Sequence, residues 1–427
     1  MAYIGNTPTT QSFISGTDYF NGTGSQTAFT LTRTVASQND VEAVVNNVVQ
    51  QPNAGYTISG TTITFTSAPS AGTQNVYVRY LSTTTQAISP SQGTVGWNQL
   101  NTDTQQDLGI SFKNRIINGA MQIDQRNAGA STTINSGAST YTLDRWFASG
   151  TASAGVFTVA QSTSTPPAGF SNFLRTTVTT IDSSLAATDF YGVSQRIEGF
   201  NIADLNWGSA NARTVTLSFW VRSSLTGTFT GALNATTAST ASYVFSYTIN
   251  AANTWEQKSI TISGPTIGTF NSTNGIGLGL WFMLALGSTY TGSANAWTAS
   301  AIYGVSGATN VMATNGATFD ITGVQLEVGT QATTFTTAGG SIGAELALCQ
   351  RYYQSFLVSS DWGNGSGYGM AAGTYLTEMR AAPTATYTPS SGSILGTSIN
   401  SKSYQFQIQS LSAGSASIAT ATFSIEL

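Results

Sequence analysis

Residues 212–224 read ARTVTLSFWVRSS. Val215, Leu217, Phe219 and Val221 alternate with Thr214, Thr216, Ser218, Trp220 and Arg222. Successive side chains of a strand point to opposite faces, so this period of two predicts a strand with one buried face. YVFSYTI (243–249) and WEQKSITI (255–262) behave similarly. GIGLGLWFMLALG (275–287) is apolar throughout. It falls short of the roughly 18 residues of a membrane helix and reads as a buried strand. Such runs alternate with turn residues from NRIINGAMQIDQR (114–126) to FDITGVQLEVG (319–329). They predict one large β-sandwich or jelly roll over 113–340.

The residues before and after extend the all-β reading. VEAVVNNVVQQ (41–51) and YTISGTTITF (56–65) look like hairpins, turning at Asn46-Asn47 and at Gly60-Thr61. A small β-sandwich is expected over about 17–82, within an N-terminal region of 1–82. TTTQAISPSQGTVG (83–96) reads as a linker. In WNQLNTDTQQDLG (97–109), Trp97, Leu100, Thr104 and Leu108 approximate heptad spacing. Two readings stay open there: a short parallel neck between identical chains, or a solvated linker helix. SIGAELALCQRYYQSF (341–356) is the strongest helical pattern. Ser341 suits the N-cap, and Glu345 suits the positive end of the dipole. Ile342, Leu346, Cys349 and Tyr353 would form one stripe, with Leu348, Tyr352 and Phe356 beside it. Residues 357–427 return to turn-rich β. The expected order is small sandwich, linker and neck (83–112), large sandwich, then a helical joint with a distal β domain (341–427).

Composition bounds the chemistry. Of 427 residues only 7% are charged, yet 40% are hydrophobic and 11% aromatic. Ordinary globular chains are about a quarter charged, but this much apolar surface is enough to fold. The net charge of -4 and scattered cations argue against nucleic-acid binding. There are no histidines, which excludes Ser-His-Asp and Cys-His catalysis and most zinc chemistry. Carboxylate-pair glycoside hydrolysis survives that test, and Asp182, Asp189, Glu198 and Asp204 are the mid-chain acids to weigh. No cofactor or metal is expected. The single cysteine gives no internal disulfide framework. The start, MAYIGNTPTT, has no signal-peptide pattern, so synthesis in a cytoplasm is expected, without membrane insertion.

Several segments together resemble bacteriophage tail fibre proteins. DYFNGTGSQTAFTL (18–31) and VEAVVNNVVQQPNAGYTISGTTITFTSAPSAG (41–72) look like the attachment domain of short-tailed phage fibres. KNRIINGAMQIDQRNAG (113–129), YTLDRWFAS (141–149) and FDITGVQLEVGTQATTFT (319–336) resemble blocks of a carbohydrate-binding-module-like jelly roll found in phage tail proteins. SIGAELALCQRYYQSF followed by MRAAPTAT (379–386) resembles the C-terminal section of such chains. The resemblance covers most of the sequence. It implies a homotrimer on the virion, attached to tail or adaptor proteins at one end and presenting receptor-binding loops to host-surface polysaccharide at the other. Trp97, Leu100 and Leu108 would then serve the trimer neck.

Individual residues carry narrower expectations. Cys349, on the stripe, reads as a small buried hydrophobe rather than a reactive thiol. Tyr352 and Tyr353 cannot share one helix face. One is expected against the large sandwich, the other against the last domain or a neighbouring chain. Ile342, Leu346, Cys349, Tyr352 and Tyr353 thus form a structural joint. In SSDWGNGSGYGM (359–370), Trp362 and Tyr368 could stack on sugar faces while Asp361 and Asn364 bond hydroxyls. The competing reading folds Trp362 into the last domain's core. Asp144-Arg145-Trp146 and Glu327 read as structural ties. Trp220, opposite the apolar face of its strand, could meet a ligand, a partner or a second layer.

Overall fold

A computed structural model describes residues 16–81, 112–135, 137–150, 154–235, 241–360, 368–387, 393–409 and 417–427. The chain divides into two compact units, Met1–Gly96 and Trp97–Leu427. Its described residues are almost entirely β structure.

The first unit contains β1 (Thr17–Gly22), β2 (Ala28–Thr30), β3 (Val41–Val45), β4 (Val48–Val49), β5 (Tyr56–Ser59), β6 (Thr62–Phe65) and β7 (Gly72–Tyr80). They make two antiparallel sheets, ordered β1-β7-β3-β4 and β2-β6-β5. Both expected hairpins form. Asn46 and Asn47 take φ of 49° and 64° at the β3–β4 turn, the left-handed pair that a two-residue turn demands. Gly60 (φ 59°) turns β5 into β6. Tyr56, Ile63, Val76 and Val78 are completely buried between the sheets.

The second unit begins with β8 (Thr132–Ile134), β9 (Ala138–Leu143), β10 (Trp146–Gly150), β11 (Val156–Ser162), β12 (Phe173–Thr180), β13 (Phe190–Glu198) and β14 (Val215–Ser223). It continues with β15 (Gly227–Asn234), β16 (Ser242–Ile249), β17 (Glu256–Ile262), β18 (Ile276–Leu286), β19 (Trp297–Thr298) and β20 (Thr318–Val328). A seven-stranded sheet, β19-β16-β15-β18-β13-β10-β9, faces a six-stranded one, β17-β14-β20-β12-β11-β8. Val215, Leu217, Phe219 and Val221 are all fully buried between them. Each such side chain contributes about 1.5–3 kcal/mol. The apolar run over 275–287 is β18, buried along nearly its whole length.

The polar face of β14 is covered too: Thr216, Ser218 and Arg222 are buried. Flanking segments do this. Arg222 Nη1 donates to the Thr165 hydroxyl (3.0 Å), Thr322 Oγ1 to the Asn172 carbonyl (2.8 Å) and Thr216 Oγ1 to the Gly329 carbonyl (2.9 Å). Trp220 is half-buried there, packed beside Gly323, whose φ of 61° brings the backbone close.

The unit ends with helix α1 (Ile342–Gln350) and six strands: β21 (Tyr353–Ser360), β22 (Tyr368–Thr374), β23 (Thr384–Tyr387), β24 (Ser393–Ile399), β25 (Ser403–Gln409) and β26 (Ser417–Ser424). They form two three-stranded antiparallel sheets, β21-β26-β23 and β22-β25-β24. Val358, Tyr375, Tyr404, Phe406 and Phe423 pack between these sheets as a small core.

Candidate functional site

The joint is built on arginines rather than on an apolar helix stripe. Ser341 caps α1 as expected, its hydroxyl accepting from the Ala344 N–H (3.3 Å). Glu345 is buried, its carboxylate accepting from the backbone N–H groups of Asn118 and Gly339. Burial pushes its carboxyl upward, and those two bonds partly offset the shift. Cys349 lies one turn on, fully buried against Ile117, Ile123 and Tyr352. Burial drives its thiol well above the ordinary range, and nearby Asp144 and Glu345 add to the shift. A thiol so shielded is not a nucleophile.

Two expected stripe members are misplaced. Ile342 is 56% exposed, and Tyr353 is not on the helix at all. The helix stops at Gln350 because Tyr352 and the residues after it are taken by a different partner. The Tyr352 carbonyl accepts from Ile425 N–H (2.9 Å), and β21 then zips against β26 from Tyr353↔Ser424 to Ser360↔Ser417. Leu346 keeps its place, half-buried against the Cys349 cluster.

Both tyrosines meet cations of the large sandwich, so neither needs a neighbouring chain. Arg145 lies 3.6 Å from the centroid of the Tyr352 ring, and Arg126 3.9 Å from that of Tyr353. The Tyr352 hydroxyl donates to Glu198, which also pairs with Arg351 (2.8 Å). Glu426 accepts from both Arg126 and Arg145. Arg196 and the Tyr141 hydroxyl donate to the Leu427 backbone oxygen, and Arg380 donates to the Ile425 and Glu426 carbonyls. Residues 425–427 are thus strapped to the large sandwich by three arginines and a tyrosine, and braced by Arg380 from the C-terminal region. None of these pairings is readable from spacing, because the partners lie from 45 to 300 residues apart.

Asp144-Arg145-Trp146 is the tie expected of it. Asp144 accepts from the Gln125 backbone N–H (2.6 Å) and Nε2 (2.8 Å), and Trp146 Nε1 donates to the Asn118 carbonyl (3.1 Å). Burial lifts the Asp144 carboxyl to about 6, against the lowering effect of Gln125 and Arg126. The folded value exceeds the unfolded one, so Asp144 favours folding most below the unfolded value. That contribution is lost as pH rises through about 6, at a cost of about 3 kcal/mol. Acidification from pH 7.5 to 5 should therefore raise the melting temperature of the wild type relative to Asp144→Asn. Parallel pH dependences for the two proteins would contradict this.

The mid-chain acids are each engaged locally. Asp182 accepts from the Tyr191 hydroxyl (2.8 Å), Asp189 from the Ala186 N–H (2.7 Å), and Asp204 from Arg115 (2.6 Å). Glu198 belongs to the joint. Glu327 lies under Lys113 (3.6 Å) and accepts from Thr333. Trp207 and Trp281 are buried, and Trp297 is anchored through Nε1 to the Ser263 carbonyl (2.7 Å). Among the described residues no group of three or more His, Cys, Asp or Glu could hold a metal ion, and no helix is long and apolar enough to cross a membrane.

Strand register locates the other end of the small sandwich. Tyr353 and Ser424 sit at the joint, where Arg380 N–H donates to the Arg351 carbonyl (2.9 Å). Ser360 pairs with Ser417, while Gln409 pairs with both Tyr368 and Ser393. The strand ends Ser360, Tyr368, Ser393, Gln409 and Ser417 therefore mark the end facing away from the joint. Asp361, Trp362 and Asn364 lie outside the described residues; Tyr368 opens β22. Trp97, Leu100 and Leu108 also lie outside the described residues.

No protein-family model matches this chain, and no curated protein matches it. Among solved structures, the enzymatically active domain of tailspike protein 4 from bacteriophage CBA120 is 14% identical over 51% of this chain, with a TM-score of 0.27; the match spans 21% of that chain. A putative sugar binding protein from Bacteroides thetaiotaomicron is 12% identical over 51% of this chain and 100% of its own, with a TM-score of 0.31. The family 11 carbohydrate-binding module from Clostridium thermocellum, in complex with a β-1,3-1,4-mixed-linked tetrasaccharide, is 8% identical over 46% and 94%, with a TM-score of 0.24. Likenesses of this size assign no function.

Proposed function

We propose that this protein is a non-enzymatic tail fibre subunit of a bacteriophage, which binds a host-surface polysaccharide through the outer end of its C-terminal sandwich. The observation that supports this reading is the position of the strand ends Ser360, Tyr368, Ser393, Gln409 and Ser417 at the end remote from the arginine-strapped joint. A binding surface there is held by a rigid base and presented outward. Asp361, Trp362 and Asn364 follow Ser360 in the chain, and Tyr368 comes after them. Aromatic rings stack on the apolar faces of sugars, and short polar side chains bond their hydroxyls. In this reading the N-terminal unit attaches to tail or adaptor proteins, and the subunits work as a homotrimer whose avidity exceeds each site's affinity.

Binding to an array of immobilised bacterial surface polysaccharides tests the proposal. The wild type should be retained by at least one polymer without releasing reducing sugar. Trp362→Ala should weaken retention at least tenfold while leaving the melting temperature unchanged. Retention by no polymer, unaltered retention by Trp362→Ala, or sugar release would each overturn the reading. A collapse of the melting temperature would instead place Trp362 in the core.

A further inference from the structure

The outer face of one sheet in the small C-terminal sandwich carries a row of glutamines. Residues 403–409 of β25 read SYQFQIQ, with strict alternation. Tyr404, Phe406 and Ile408 are buried beneath the sheet, so Gln405, Gln407 and Gln409 all face outward. Burial fixes the inward set, whereas nothing in the fold calls for three identical outward residues. Strand β25 is the middle strand of β22-β25-β24. Register places Gln405 between Ala372 and Ser398, Gln407 between Met370 and Gly396, and Gln409 between Tyr368 and Ser393. The three strands contain no Asp, Glu, Lys or Arg. Lys402, just before β25, pairs with Glu378 (4.0 Å) at the end nearer the joint.

Other strand glutamines of the chain are used by the fold. Gln195 accepts from the Ile117 N–H (3.0 Å) and donates to the Ile117 carbonyl (2.8 Å). Gln354 accepts from the Leu376 N–H (3.0 Å) and donates to the Thr377 carbonyl (2.7 Å). On β25, Gln405 Nε2 lies 3.9 Å from Met370 Sδ, a weak acceptor. Among the described residues no hydrogen bond engages the amides of Gln407 or Gln409. Each of those two keeps a carbonyl acceptor and two N–H donors for something outside the chain. The row spans about 14 Å, at ~3.4 Å per residue. It ends at Gln409, opposite Tyr368, at the end remote from the joint.

We infer that the outer face of β22-β25-β24 is the floor on which an extended, uncharged polysaccharide lies, with Gln405, Gln407 and Gln409 bonding its hydroxyls. This rests on the glycan reading above and deepens it, since it names the ligand class and the residues that select it. A hydroxyl both donates and accepts, and so does a carboxamide, so the two match without charge. An acidic polymer would find no cation here to offset the desolvation of its anions, and the face selects against it. A folded protein would want a cluster of large apolar anchors, whereas the described side chains of these three rungs include one, Met370. An evenly spaced linear array suits a linear polymer. Ala372, Gly396 and Ser398 leave low shoulders beside the row, where such a chain can reach the amides. The last rung pairs with Tyr368, so the floor is continuous with the end proposed above to meet the host.

The test uses the full chain on the polysaccharide array, divided into uncharged and acidic polymers. The wild type should be retained by an uncharged polymer, equally at low and high salt. Gln407→Ala should weaken retention about two- to tenfold, the worth of one neutral hydrogen bond. Changing Gln405, Gln407 and Gln409 together to Thr, a strand former too short to replace them, should weaken it by on the order of 100-fold with the melting temperature unchanged. Gln257→Ala, at an exposed glutamine of β17, should bind as the wild type does. If the triple variant melts early, Gln407→Ala alone decides. Retention that Trp362→Ala abolishes but the Gln407 and triple variants leave intact would overturn this inference and spare the glycan reading. Retention by acidic polymers alone, or its loss at high salt, would overturn the uncharged class. Retention by no polymer would overturn both.

Discussion

Asp320→Ala is expected to destabilise the large sandwich by about 3–5 kcal/mol, the cost of leaving a buried charge without its partner. Asp320 is fully buried on β20 and serves two arginines. Its Oδ1 accepts from Arg175 Nε (2.8 Å), and its Oδ2 accepts from Arg175 Nη2 (2.9 Å) and Arg222 Nε (2.8 Å). The two cations differ in what they can do next. Arg175 is 34% exposed and can turn to water, whereas Arg222 is 10% exposed. Arg222 also lies over the rings of Phe173 (5.1 Å) and Trp255 (4.6 Å), which contact each other, and its Nη1 is tied to Thr165. The loss should thus be paid mainly through Arg222. Adding Arg222→Met to Asp320→Ala should recover more than half of it in urea unfolding. A cost below about 1 kcal/mol for Asp320→Ala, or no recovery in the double variant, would show that the aromatic pair alone carries the cation.

That triad shows what the sequence conceals. Alternation over 212–224 correctly separates the core side of β14 from its other side, because burial between two sheets imposes a period of two. It does not reveal that the other side is covered as well, since the covering residues come from distant turns. The hairpins at Asn46-Asn47 and Gly60 were legible because their backbone needs left-handed residues at fixed places. The start of α1 was legible from Ser341, but its end was not. Tyr353-Gln354-Ser355-Phe356 satisfies a strand's alternation as well as a helix's stripe, and pairing with β26 decides between them. The partners of the scattered arginines are hidden for the same reason. Arg126 and Arg145 gain their shared carboxylate only when Glu426, 300 and 281 residues away, folds back between them.

Glu426→Ala should loosen that strap and expose the joint. Removing it leaves Arg145, 1% exposed, and Arg126, 12% exposed, without their carboxylate, again a cost of about 3–5 kcal/mol. The large sandwich retains its own core, so the loss should appear first as local opening around residues 351–357 and 417–427 rather than as global unfolding. Cys349 is the natural reporter, since it is buried at this point and is the only thiol in the chain. In the native wild type a thiol-labelling reagent should react only through rare opening. In Glu426→Ala the labelling rate should rise by on the order of 10²–10⁴-fold, which is the same free energy expressed as an opening equilibrium. Glu426→Gln keeps an acceptor for one arginine and should fall between the two. Hydrogen exchange should speed up in β21 and β26 while β14 and β18 stay protected. Fast labelling of the wild type would refute the buried-joint reading of Cys349. Unchanged labelling in Glu426→Ala would mean that Arg145 is held well enough by the Tyr352 ring and the Arg196 carbonyl. In that case residues 425–427 lie on the joint without closing it.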